Sequence, residues 1–242
     1  MTEALILSAA CFVAAFCAGM AGFAFVLVGA GLLLHLLPPA TTAPVLVMGS
    51  FLVQSLALRA VWRHVDWPRL RRFVLFAVPG LPLGVWLLAT VPARPMTAGV
   101  GALLVVYSAW MLARIGLRLP APRVAGGPAA DAGVALASGV LGGIGGYVGA
   151  LPGMWADLQG WDKEATRGLL QPFIVAMQAL TLPFLALGGF FTREALWLTA
   201  AALPAMVAGM LLGLAAFHRL PQGGFRLVLL ALLLLSGLSL LV

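Results

Sequence analysis

The stretch LGGIGGYVGALPG, Leu141–Gly153, places six glycines and one proline within thirteen residues. Inside a helix, glycine costs about 1 kcal/mol relative to alanine and proline about 3. The flanking chain is leucine, alanine and valine. The stretch therefore marks either a place where helices pack very closely or a place where a helix stops. The choice between these decides the fold.

The 242-residue chain is 63% hydrophobic and 9% charged, with a mean hydropathy of +1.10. So few charges cannot cover the surface of a soluble domain of this length. The expected class is an all-α polytopic membrane protein. A helix crosses the hydrocarbon with about 20 apolar residues. Apolar runs between charge and Pro/Gly clusters mark eight segments, at 4–37, 40–62, 69–91, 95–114, 131–160, 164–188, 194–217 and 223–242. The net charge of +7 reads as arginines at span ends, not as a nucleic-acid surface. No nucleic acid is expected as a partner; the lipid bilayer is. Cys11 and Cys17, about 9 Å apart along a helix, are not expected to pair. The N-terminus MTEAL lacks a signal-peptide n-region.

The halves on either side of the polar stretch 118–130 align. With Gly19 placed on Gly143, an offset of 124, Gly22 falls on Gly146, Phe23 on Tyr147, Thr42 on Thr166 and Gln54 on Gln178. Further on, Pro79 falls on Pro204 and Gly84 on Gly209. The expected organisation is a first transmembrane repeat at 1–117, a linker at 118–130 and a second repeat at 131–242. The arginines suggest how the repeats are related. If every segment crosses once from a cytoplasmic N-terminus, the repeats are parallel, with nine basic residues inside and five outside. If segments one and five are broken, re-entrant hairpins and the N-terminus is outside, the repeats are inverted. Twelve basic residues are then inside, and only Arg94 and Arg193 outside. The positive-inside rule favours the second arrangement.

Three readings of the glycine stretch follow. A nucleotide-binding loop fails on spacing: from Gly143 the pattern is G-x-G-x-x-V, ending on Val148. Small-xxx-small pairs such as Gly139/Gly143 and Gly142/Gly146 would serve close helix packing alone. A break inside the membrane would leave the first N–H groups of a return helix open to an anion. Such broken helices recur at the midplane of inverted-repeat transporters. On this reading the substrate-binding residues are Gly143, Gly145, Gly146, Tyr147 and Val148, with Gly19, Gly22 and Phe23 from the first segment.

Polar residues at depth extend the site. Gln54 and Gln178 can donate to an oxyanion without adding charge, or simply bond a neighbouring helix. Arg167, Gln171 and Gln178 share one helical face. They would guide an anion, unless Arg167 is an interfacial arginine near Glu164. Asp157 and His35 are candidates for proton coupling, though both lie near hairpin ends. Asp66, ahead of Trp67–Pro68, reads as a helix N-cap. Arg59, Arg63, Arg69, Arg71 and Arg72 read as a topology and headgroup signal.

Three stretches resemble the TauE/SafE family of sulfite and organosulfonate exporters. They are RHVDWPRLRRFVLFAVPGLPLGVWLL (63–88), LASGVLGGIGGYVGALPGMWADLQGWDKEATRGLLQPF (136–173) and ALPAMVAGMLLGLAAFHRLPQGGFRLVLLALLLLSGL (202–238). The resemblance implies export of a small sulfur-containing anion across the inner membrane. One departure is the first segment, CAGMAGFAFVLVGAG, with Met20, Ala21 and Phe23 where the family has small residues. The expectation is a secondary transporter of a small anion. The alternatives are a passive anion channel and a non-transporting membrane scaffold. Scattered histidines and the absence of H-E-x-x-H or a nucleophile–base pair argue against an enzyme or a metal. No cofactor is expected. There is no G-x-x-x-x-G-K-[ST], so this chain is not expected to use ATP. The inside-negative potential favours anion export by about 2.3 kcal/mol per charge per 100 mV.

Overall fold

The computed structural model describes residues 2–119, 124–219 and 221–241; residues 120–123 of the linker, with Arg123, lie outside the described residues. Among the described residues there are eleven α-helices and no strand. Each apolar segment becomes a helix or a helix pair. The first gives α1 (Thr2–Ala21) and α2 (Phe25–Leu33), and the second α3 (Pro39–Val61). The third gives α4 (Trp67–Ala77) and α5 (Gly80–Thr90), and the fourth α6 (Ala93–Gly116). The fifth gives α7 (Pro128–Gly145) and α8 (Ala150–Leu158). The rest are α9 (Lys163–Leu187), α10 (Arg193–Arg219) and α11 (Gln222–Leu241).

The protein is an all-α polytopic membrane protein. Four helical stretches are each long and apolar enough to cross a bilayer: Ala40–His64, Pro128–Gly145, Lys163–Leu187 and Arg193–Arg219. A fifth is the pair α4–α5, bent by 44° where Pro79 interrupts the ladder. Asp66 caps α4 as expected, its Oδ1 accepting the Arg69 N–H at 3.0 Å. Cys11 and Cys17 are buried free thiols.

Segments one and five are broken and turn back. The first break is at Gly22, which holds φ +87°; the second is at Gly146, with φ +82°. Only glycine adopts this region without strain. Past the first break, α2 folds onto α1, so that a Cβ on Gly29 would sit 3.6 Å from Ala14 Cβ. Past the second, α8 returns to the start of its own segment, where the Val124 N–H donates to Leu158 O at 3.1 Å. The arms are unequal: α1 and α7 have 20 and 18 residues, α2 and α8 nine each. The entering arm is long enough to pass the membrane centre at 1.5 Å per residue.

Glycines set the helix pairing. A Cβ on Gly19 would lie 2.8 Å from Gly213 Cα, so α1 and α10 run backbone to backbone. A Cβ on Gly84 would lie 2.8 Å from Gly143 Cα, joining α5 to α7 in the same way. In both pairs residue numbers rise together, so the helices are parallel. The first segment of each half thus packs on the third segment of the other. In contrast, α3 and α9 run antiparallel. Gln54 lies beside Gln171, whereas Val47 and Gln178 meet around Gly146. The pair α6–α11 is also antiparallel: Gly101 faces Gly237 and Leu241, and Gly237 faces Leu104 and Val105.

Candidate functional site

The two readings of Leu141–Gly153 divide the stretch between them. Gly139 and Gly143 are packing residues: a Cβ on Gly143 would lie 2.7 Å from Val85 N. The break begins only at Gly146. Here the helix ends in a glycine cap, with the Gly146 N–H on Gly142 O at 2.7 Å and the Tyr147 N–H on Leu141 O at 3.2 Å. The Gly146 bond, from the C′ N–H to the carbonyl four residues back, is that of the αL cap. The expectation that N–H groups around Gly145–Val148 are open to an anion is therefore corrected at Gly146 and Tyr147. Those of Gly146 and Tyr147 are committed to the cap.

A glutamine reads each break. Gln54 Nε2 donates to Gly22 O at 2.9 Å, and Gln178 Nε2 donates to Gly146 O at 3.4 Å. Both side chains are fully buried. Each is the sixteenth residue of its helix, counting from Pro39 and Lys163. That is about 22 Å along the axis, beyond the midpoint. Because α3 and α9 are antiparallel, the two tips pass one another. They touch through Phe23, onto which Gly149 and Gly153 close; a Cβ on Gly149 would lie 2.7 Å from Phe23 Cβ. The bulky residue of the first tip is thus matched by glycines on the second.

The tips differ in charge. At the first, Arg167 is 0% exposed. Its Nη1 donates to Gly19 O at 2.6 Å and its Nε to Gln171 Oε1 at 3.0 Å. Gln171 Nε2 in turn donates to Gln54 O at 3.2 Å. The Phe217 ring lies under the guanidinium, 4.5 Å from its centre. No described carboxylate pairs with Arg167; Glu164 is held by Lys163 at 3.7 Å instead. The interfacial, snorkelling reading of Arg167 is corrected by its complete burial. Among the described residues its Nη2 has no hydrogen-bond partner, and neither do Gln54 Oε1 and Gln178 Oε1. At the second tip the equivalents of Arg167 and Gln171 are Ala43 and Val47. Val47 and Val26 line Gly146 there.

The two proton-coupling candidates lie apart from this site. Asp157, in the last turn of α8, accepts the Tyr107 hydroxyl at 2.8 Å. His35 is exposed in the turn after α2. Among the described residues no three His, Cys, Asp or Glu side chains come together to hold a metal ion.

The sequence profile described as Sulfite exporter TauE/SafE matches residues 7–240. The chain belongs to the TauE/SafE family. No curated protein and no solved structure matches it. Membership makes it a membrane transport protein of the sulfite-exporter type, and the match runs through both glycine tips and both glutamines.

Two features of this TauE/SafE chain were not foreseen. Phe217, which seats the Arg167 guanidinium, is 50 positions away on α10. Arg69 is not only a headgroup residue. It grips buried Asp131 at 2.9 Å through both Nε and Nη2 and reaches Gln159 Oε1 at 3.2 Å. It also lies 3.9 Å over the Trp161 ring. Trp155 Nε1 donates to the same carboxylate at 2.9 Å. This network ties α4 to both arms of the second hairpin. A lone aspartate at the head of an apolar helix was the available signal.

Proposed function

We propose that the chain is a secondary carrier that exports a small sulfur oxyanion, bound at the first tip by Arg167. Support comes from a fully buried arginine that, among the described residues, has no carboxylate partner and one unbonded donor nitrogen. An unpaired charge at this depth is expensive unless a counter-charge arrives, and an oxyanion supplies one with matching geometry. The short helix α2 begins three residues beyond Gly22 with no side-chain cap, so its positive end adds to the field. TauE/SafE membership supports sulfite or an organosulfonate as the anion.

The two halves form inverted repeats in an inner membrane, with both termini outside. Antiparallel α3 and α9, occupying equivalent places in the two halves, support this over the parallel arrangement. Under it, the Arg167 tip opens towards the cytoplasm. Complete burial of Arg167 and the Phe23 contact between the tips describe an occluded site, which supports a carrier over an open channel.

The test is counterflow of labelled sulfite in proteoliposomes. Wild type accumulates label against unlabelled internal sulfite, and Arg167→Gln lowers the rate at least tenfold at equal incorporation. Unsaturable flux without counterflow would replace the carrier by a channel. Unchanged counterflow in Arg167→Gln would remove Arg167 from the site.

A further inference from the structure

The unpartnered atoms of the first tip specify more than charge. Carbonyl oxygens only accept, so the amide facing Gly22 O must present its NH2 group. The orientation of Gln54 is thereby settled, and its Oε1, buried and without a partner, faces away from Gly22. Gln171 is settled likewise, by Arg167 Nε on one side and Gln54 O on the other. Beside Gly22 this leaves one charged donor, Arg167 Nη2, and one neutral acceptor, Gln54 Oε1, with the buried Ser50 Oγ also unpartnered one turn earlier on α3.

We infer that the substrate is a monoanion carrying its own hydrogen-bond donor, and that Gln54 selects it. This rests on the reading of Arg167 as the anion site. A bare oxyanion meets Nη2 but leaves Gln54 Oε1 buried and unsatisfied, facing further lone pairs. A protonated oxyanion, or a sulfonate bearing a hydroxyl or amino group, meets both. Charge agrees with this. One guanidinium with no carboxylate balances one negative charge, and a dianion would leave a second buried without a partner. The second tip carries the same orphan acceptor, Gln178 Oε1, but valine in place of the cationic stripe. The chain therefore takes one anion, at the first tip only.

The experiment is calorimetry on the purified full chain in detergent at pH 7, with four probes. Sulfite is the reference. 2-Hydroxyethanesulfonate and propane-1-sulfonate have the same size and charge and differ by one donor; sulfate is a dianion without a donor. The expected result is binding of 2-hydroxyethanesulfonate at least tenfold tighter than propane-1-sulfonate or sulfate. Gln54→Met narrows that ratio to within twofold. The wild-type ratio alone decides if that variant does not fold. If sulfite binds through Arg167 but the two sulfonates bind equally, or sulfate binds tightest, the donor requirement falls and the anion site stands. If Arg167→Gln leaves sulfite binding unchanged, the anion site itself falls.

Discussion

At the scale of single residues, Gly22 and Gly146 occupy equivalent turns yet carry different duties. Both hold positive φ, so alanine at either costs about 1–2 kcal/mol of backbone strain. At Gly22, however, the new methyl also lies 3.1 Å from Arg167 Cγ, whereas at Gly146 it meets Val47 at the same distance. Gly22→Ala is therefore expected to lower both thermal stability and sulfite affinity, and Gly146→Ala stability alone. Gly99→Ala is the control: it meets nothing within 4 Å and sits inside α6, so it raises stability by about 1 kcal/mol. Unfolding midpoints in one detergent, together with sulfite titrations, separate the three. Gln54, Gln178, Gly22 and Arg167 were legible in the sequence because an offset of 124 aligns three of them and Arg167 shares a helical face with Gln171 and Gln178. The committed N–H groups of Gly146 and Tyr147 were not. Which carbonyl accepts an N–H depends on how the helix ends, and the glycine pattern is the same for a cap and for an anion loop.

At the scale of elements, the second hairpin is anchored at its base and the first is not anchored in the same way. Arg69, Asp131, Gln159 and Trp155 join α4, α7 and α8, whereas the first hairpin is met by Ser239 Oγ on Gly31 O at 2.6 Å. Asp131 is 2% exposed, and removing one partner of such a pair leaves a charge without compensation. Asp131→Asn is expected to destabilise the protein by about 3 kcal/mol, seen as a lower midpoint in detergent. Arg69→Met combined with Asp131→Leu recovers most of that loss, because no lone charge remains. A double variant as unstable as Asp131→Asn would show that packing, not charge, holds the base. The eight segments could be read from the sequence because each is bounded by charge or proline. The base network could not: its arginine and aspartate are 62 positions apart, and each has an ordinary local explanation.

At the scale of the whole molecule, the arrangement is set by which helices run parallel. Parallel α1–α10 and α5–α7, with antiparallel α3–α9 and α6–α11, are jointly met only if segments one and five turn back. If every segment crossed once, α3 and α9 would run the same way. The arginine count pointed in the same direction from sequence alone, but charge reports loops, not pairings. The crossed packing of each first segment on the other half's third was invisible until glycine met glycine. The consequence for sidedness is testable by cysteine accessibility in a background lacking Cys11 and Cys17. Ala125→Cys, in the linker, is expected to react only after the cytoplasmic face is exposed, and Glu194→Cys, in the first turn of α10, from outside intact cells. Thr2→Cys belongs with Glu194→Cys, because an entering arm that turns back leaves the N-terminus on the side from which α3 departs. Thr2→Cys labelled only from the cytoplasm, with the other two as expected, would mean that the first segment crosses completely. The Arg167 tip would then lose the symmetry that faces it towards the cytoplasm.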